Sequence, residues 1–234
     1  MYVDRSVVDG FAFFDGLAPE DIDAVLEPAA SRRYAAGEAV FEQGTPAEQF
    51  FFLLHGRVRA TQVTPDGQQV VVRVVNPGDI FGIAVALGRN DYPGTATAVA
   101  DSIVLAWPMA LWNRLIESYP ALARNAIRTM GGRLQEAQTR TRELATEAVE
   151  QRVAHAVLRL AGQAGKREHD GIRIDFPISK QDVAELTGTT LHTVSRIFTA
   201  WEAAGLVESG RQKLKICVPH DLVLIGDGLR PGHL

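Results

Sequence analysis

The chain has 234 residues and a mass of 25.5 kDa, room for one large domain or two modest ones at about 100–200 residues each. With 46% hydrophobic and 22% charged residues, wholesale disorder is excluded, and no apolar run approaches the ~18–20 residues that span a bilayer. The net charge of −4 is unevenly spread: residues 1–119 carry 8 Lys/Arg against 15 Asp/Glu, whereas residues 120–234 carry 16 against 13.

An acidic front and a mildly basic back point to two domains with different partners, although chance clustering gives the same totals. The start, Met1-Tyr2-Val3-Asp4-Arg5, lacks the basic and apolar regions of a signal peptide. A single cysteine, Cys217, can form no internal disulfide and cannot hold an iron–sulfur cluster unaided. The chain therefore reads as a soluble cytoplasmic protein without a membrane partner.

In chain order, Phe11 to Leu26 reads as a loop followed by a short helix, with Pro19 in the first turn and Glu20, Asp21 and Asp23 near its positive end. From Ser31 to Pro108, glycines and turn dipeptides punctuate short β-type runs: 39–41, 50–54, 58–63, 70–75 and 95–107. Strands of this length and spacing predict a small antiparallel β-roll or barrel, with Thr64-Pro65-Asp66-Gly67 as its clearest hairpin.

A short helix over 111–118 and a longer one over about 121–145 follow. Along the second, Ile127, Met130, Leu134, Ala137, Thr141 and Leu144 are spaced 3, 4, 3, 4, 3. Such an a/d seam, flanked by Arg and Glu, predicts a dimer helix; a helix packed on its own domain is the alternative, usually with a wider apolar stripe. Gly131-Gly132 weaken that helix by about 1 kcal/mol each relative to alanine. A further helix over 149–162, a polar linker over 164–171 and a short strand over 172–176 lead to the most informative segment.

That segment, 178–207, reads ISKQDVAELTGTTLHTVSRIFTAWEAAGLV. Ser179 caps a short helix that stops at Thr187-Gly188, and a second helix from about Thr190 to Ala204 buries Val194, Ile197, Phe198 and Trp201. Thr189, Thr190, His192, Thr193, Ser195, Arg196 and Thr199 are left mostly outward, hydroxyls for phosphates and an arginine fork for a guanine edge. Residues 208–216 then form an apparent hairpin whose Arg211, Lys213 and Lys215 would reach the phosphate backbone as a wing. Ser179, Gln181 and Leu191 complete the candidate DNA-contacting set with double-stranded DNA as partner.

In its β-roll glycines, NPGDIFG at Asn76–Gly82, the long helix and TTLHTVSRIFTAWEAAGLV at Thr189–Val207, the chain resembles the CRP/FNR superfamily of transcription regulators over nearly its whole length. The resemblance implies an α+β chain: an N-terminal effector-binding β-roll (1–118), a dimerisation helix (119–147) and a C-terminal winged helix-turn-helix (148–234). It also implies a homodimer on a palindrome, RNA polymerase as a further partner if the protein activates, and an effector pocket involving Ile80, Phe81, Gly82, Ile83, Thr95, Ala137 and Gln138. His192 stands where the family has a base-reading Glu, and Arg196 matches the family's Arg, which implies a TTG…CAA-type site with altered preference at His192.

Departures from the family bear on the signal. Ile83 stands where the cyclic-AMP branch has a Glu, and Gly94-Thr95 where it has an Arg-led pair, leaving a cyclic phosphate no fixed cation. Arg89 reads as a surface residue. Cyclic AMP and an iron–sulfur cluster are thus both argued against. The wording of the recognition helix and YPGTATA at Tyr92–Ala98 are similar to the nitric-oxide-responsive NnrR/Dnr branch, which implies haem b as a sensor, with His55, His155 or His169 as candidate ligands and Met130 read as core. The alternatives are a regulator answering another small molecule, or a ligand-binding module acting through a protein partner. The enzyme motifs GxSxG, HExxH and the P-loop are all missing from the sequence, so no catalytic activity is expected.

Overall fold

The computed structural model describes residues 3–229; Met1 and Tyr2, read above for a leader, and residues 230–234 at the end of the expected C-terminal domain lie outside them. The chain divides into two compact units, and the division falls after Glu136, inside the long helix.

In the first unit, Pro19 occupies the first turn of α1 (Pro19–Leu26), where its missing N–H costs nothing. The β-roll follows: β1 (Ala30–Tyr34), β2 (Ala39–Phe41), β3 (Gln49–Val63), β4 (Gln69–Val75), β5 (Ile80–Phe81) and β6 (Thr95–Pro108). They form an antiparallel sheet in the order β1-β6-β3-β4, with β2 added to β6 and β5 to β3. The two runs expected at 50–54 and 58–63 are one continuous strand. Gly56, at φ +90°, is not a turn: the pairing with β6 shifts register on both sides of His55 and Arg57, and the strand absorbs the irregularity as a bulge.

Alternation along β3 divides the core. Phe50 and Phe52 join Trp107, Trp112, Val25 and Leu26 in one cluster, while Phe51, Leu53 and Val58 join Phe81, Tyr92 and Val104 in another. Polar atoms taken into these clusters are bonded: the Trp107 indole donates to the Val25 carbonyl at 2.8 Å, and the buried Tyr92 hydroxyl donates to the Gln49 carbonyl at 2.7 Å. After α2 (Trp112–Ser118), α3 (Pro120–Thr146) begins against the first cluster through Leu122 and Ala126. The Asn125 amide fixes this end by donating to the carbonyls of Phe13 (2.9 Å) and Asp15 (2.8 Å).

The second unit takes the rest of α3, then α4 (Val149–Ala164), β7 (Gly165–Glu168), β8 (Gly171–Ile174), α5 (Lys180–Thr187), α6 (Leu191–Ala203), β9 (Val207–Gly210), β10 (Lys213–Ile216) and α7 (Pro219–Gly226). Its four strands pair antiparallel in the order β7-β8-β10-β9. The expected polar linker at 164–171 is therefore a hairpin arm, with Lys166 facing Arg173 and Arg167 facing Ile172 across the ladder. Val153, Val157 and Leu160 on α4 meet a core that includes Trp201, whose indole donates to the Glu150 carboxylate at 2.9 Å. No helix among the described residues is long and apolar enough to cross a membrane.

Candidate nucleic-acid interface and effector cavity

The two helices of the 178–207 segment are positioned by their caps. Ser179 at the start of α5 accepts from the Asp182 backbone N–H at 3.1 Å, and the Asp182 carboxylate accepts in return from the Ser179 N–H (2.8 Å) and hydroxyl (2.6 Å). This reciprocal box is the cap expected at Ser179, and its hydroxyl is engaged in holding the helix start. Gly188, at φ +60°, ends α5 in the left-handed conformation. Thr190 then caps α6 through its Oγ1, 3.2 Å from the Thr193 N–H, and is itself exposed.

Along α6, Val194, Ile197, Phe198 and Trp201 are buried while Leu191, His192, Arg196 and Thr199 are exposed, with Thr189, Thr193 and Ser195 half-buried. His192 and Arg196 have no hydrogen bond or ion pair among the described residues, which leaves their donors available. On α5, Gln181 is exposed and donates to the Glu185 carboxylate at 2.9 Å. The β9–β10 hairpin turns through Arg211 and Gln212, the latter at φ +60°, and exposes Arg211 and Lys213 at its tip. Lys215 does not join them. Leu214 and Ile216 point inward, and the Lys215 ammonium is bonded to the Asp170 carboxylate and lies 3.6 Å from that of Glu208. Those bonds raise the Lys215 ammonium and hold the Asp170 carboxyl below its ordinary range. Nearby, burial pushes the Cys217 thiol up.

On α3 the seam residues Ile127, Leu134 and Leu144 are 69%, 61% and 53% exposed, large values for apolar side chains. Ala137 and Thr141 are exposed too, and Met130 is half-buried against the first core cluster. Near the C-terminal end of the helix, Glu143 is almost fully buried. Arg159 of α4 grips it with both Nη atoms (2.5 and 2.9 Å), and His155 Nδ1 lies 3.0 Å from Glu147 and 3.9 Å from Glu143. Glu143, Glu147 and His155 bring possible ligand atoms within 4.8 Å of one another, but the guanidinium already answers the charge of Glu143.

The first unit contains a cavity of about 480 Å³, within the usual small-molecule range of roughly 300–1,000 Å³. The expected residues Phe81, Gly82, Ile83 and Thr95 line it. Ile80 does not: as the neighbour of Phe81 in β5 it points to the opposite side and packs with Phe52 and Leu105. Ala137 and Gln138 are also absent from the lining, which on α3 consists of Met130, Arg133 and Leu134; both fall in the second unit and are exposed.

Arg73 and Arg133 are among the residues lining this cavity and correct the expectation that no cation stands beside it. Arg133 donates to the Ile80 carbonyl and lies 3.6 Å from the Asp79 carboxylate, which also lies 3.4 Å from Arg73. Desolvation lowers Arg133 from its ordinary value while Asp79 opposes that shift. Arg89, as expected, is a surface residue, paired with Asp91 at 2.8 Å.

The lining does not fit a haem held by an imidazole. Among the described residues it includes no histidine; His55 is exposed on β3, His155 is engaged by Glu147, and His169 is exposed in the turn between β7 and β8. The Met130 thioether is the one lining sulfur among those residues.

Comparison with known proteins matches residues 31–119 to the cyclic nucleotide-binding domain family and residues 151–224 to the Crp-like helix-turn-helix domain family. The chain is 32% identical over 201 residues to the Cyclic AMP receptor protein of Thermus thermophilus, an alignment covering 86% of this chain and 90% of that one. It is 24% identical over 217 residues to the transcriptional activator protein anr of Pseudomonas aeruginosa, covering 92% and 88%. Among solved structures, a CRP-family transcriptional regulator, also from Thermus thermophilus, aligns with a TM-score of 0.71 at 25% identity, covering 86% of this chain and 98% of that one.

Proposed function

Because this chain belongs to the CRP/FNR superfamily of transcription regulators, we propose that it acts as a homodimer on a palindromic TTG…CAA-type site, governed by a small molecule in the β-roll cavity. It is a DNA-binding regulator rather than an enzyme, in keeping with its relatives. The observation that carries the finer reading is the unengaged outer strip of α6. Arg196, exposed and without an internal partner among the described residues, can present its fork to guanine O6 and N7. His192, one turn earlier, cannot accept from a cytosine amino group when protonated and accepts through only one nitrogen when neutral. Arg211 and Lys213 at the wing tip supply phosphate contacts that position without specifying.

Dimerisation is supported by the apolar seam of α3, which leaves Ile127, Leu134 and Leu144 largely in water. A two-fold dimer would set the two α6 helices in successive major grooves, about 34–36 Å apart. Met130 and Leu134 belong both to this seam and to the cavity wall, so an occupant of the cavity touches the side chains that would meet the second copy. Control then needs only a coupling of about 1–3 kcal/mol between the two events. Haem-borne nitric oxide, implied by the resemblance to the NnrR/Dnr branch, gives way to a directly bound small molecule because the described residues that line the cavity include no imidazole. Acting in the cytoplasm, an activator of this build would recruit RNA polymerase from its bound site.

The test is selection of duplexes from a random pool by the full-length protein, together with sedimentation of the free protein. The expected result is two inverted TTG half-sites about one turn apart and a dimer that Ile127→Lys/Leu134→Lys converts to monomer. Enrichment of a single unrepeated half-site, or a monomeric wild type that binds DNA with full affinity, would overturn the reading.

A further inference from the structure

The cavity's chemistry is sharply divided. Phe41, Val72, Val75, Phe81, Ile83 and Leu134 give it apolar walls, and the Gln62 amide donates to the Pro93 carbonyl instead of facing inward unbonded. Thr95 accepts from the Gln43 N–H at 3.0 Å. No carboxylate among the described residues lines it, so a sugar's hydroxyls would meet no charged acceptor there. The Arg-led pair of the cyclic-AMP branch cannot be restored by substitution either: a Cβ at Gly94 would stand 2.5 Å from the Thr61 carbonyl oxygen.

Against these walls stand Arg73 and Arg133, from β4 and α3. Asp79 lies near both, and Glu136 is an exposed carboxylate one turn along α3 that also acts on Arg133. The polar contacts of Arg133 among the described residues run through Nη2, at Ile80 and Asp79, while its Nε–H and Nη1 N–H groups bond none of them and remain donors for a further acceptor.

We propose that this cavity takes an amphiphilic monocarboxylate, an aromatic or medium-chain aliphatic acid, whose carboxylate meets Arg133 and Arg73 while its apolar body fills the space beneath Phe81 and Ile83. The proposal rests on the reading of the cavity as the effector site and names the class of effector. It separates this chain from a nucleotide-binding regulator by the missing ribose acceptor and the apolar walls. Binding is a simple association with no bond made or broken, and the body of the ligand would pack against Met130 and Leu134 on the dimer seam.

Isothermal titration of the full-length protein with 4-phenylbutyrate, decanoate, 4-phenylbutanamide and cyclic AMP tests this directly. The expected result is saturable binding of at least one acid at one per subunit, with the neutral amide and cyclic AMP each weaker by tenfold or more. Arg133→Gln should weaken acid binding at least tenfold and Arg133→Lys less so; Arg73→Gln gives a second reading should the first variant fail to fold. Equal binding of acid and amide, tighter binding of cyclic AMP, or no saturable binding of either acid would overturn the proposal. Acid binding that leaves DNA affinity unchanged would uphold the ligand class and defeat only the effector reading.

Discussion

The Glu143–Arg159 pair offers a quantitative test of how the second unit is held together. Glu143 leaves only 5% of its side chain exposed, whereas Arg159 leaves 28%, so the two partners are not equivalent. Arg159→Met would strand a carboxylate that is almost out of reach of water, with the His155 Nδ1 3.9 Å away. Breaking a buried pair in this way costs about 3–5 kcal/mol, and the partial exposure of Arg159 places the expected loss near ~3 kcal/mol. Glu143→Met should cost less, about 1 kcal/mol, because a freed guanidinium on a long stem can turn to solvent. The double variant should lie within about 1 kcal/mol of wild type, since a buried ion pair replaced by apolar residues of similar volume is close to neutral. Urea unfolding of the full chain, followed at tryptophan including Trp201 of the second unit, gives the three values and their coupling. Equal losses in the two single variants, or a double variant as unstable as the sum of both, would refute the asymmetry argument.

Arg196→Ala should weaken specific binding by about 1–3 kcal/mol per half-site, hence roughly 2–6 kcal/mol for a dimer, and leave melting unchanged because the side chain has no internal partner among the described residues; a gel-shift comparison with non-specific DNA checks the first part and a melting curve the second. Gly56→Ala should destabilise the first unit by about 2–5 kcal/mol in thermal or urea unfolding. Its φ is +90° and a Cβ would overlap Ser102 and the Asp101 carbonyl, whereas Gly10→Ala, at φ +77° with open space around it, should cost far less. The carboxyls of Asp170 and Asp175 are held below their ordinary value by hydrogen bonds from Lys215 and Lys166. Their contribution is therefore fully present above about pH 4 and is lost as pH falls through the lower folded values. Acid unfolding of Lys215→Met should show a flatter pH dependence than wild type below about pH 4.

The sequence made the β-roll, the long helix and the helix-turn-helix legible because each depends on local signals. Turn glycines mark the roll, a 3–4 repeat marks α3, and Val194, Ile197, Phe198 and Trp201 mark the buried side of α6. Elements without such signals were missed. The strand Gly165–Glu168 exposes nearly all its side chains, so its charged residues show no alternation and resemble a linker. Gly56 has the composition of a turn, yet its meaning as a bulge depends on the register of β6 opposite. The cavity arginines left no trace because Arg73 and Arg133 are far apart in the chain and meet only through the fold. The cap at Ser179 was legible from Asp182 three residues on, whereas the Asp170 bond of Lys215 was not, because the two residues lie 45 positions apart and meet only through the fold.

The division of the core by β3 constrains how this lineage can change length. Inserting or deleting one residue between Gln49 and Leu53 would exchange Phe50 and Phe52 with Phe51 and Leu53, sending each aromatic set into the packing made for the other. Single-residue length changes should therefore be purged from that stretch during descent. The bulge around His55 and Arg57 already accommodates a register shift, and the 64–68 hairpin lies in water, so viable insertions should accumulate at those two places. A pairwise alignment of distant descendants would then drift in length at the bulge and the hairpin while keeping a fixed count between Gln49 and Leu53.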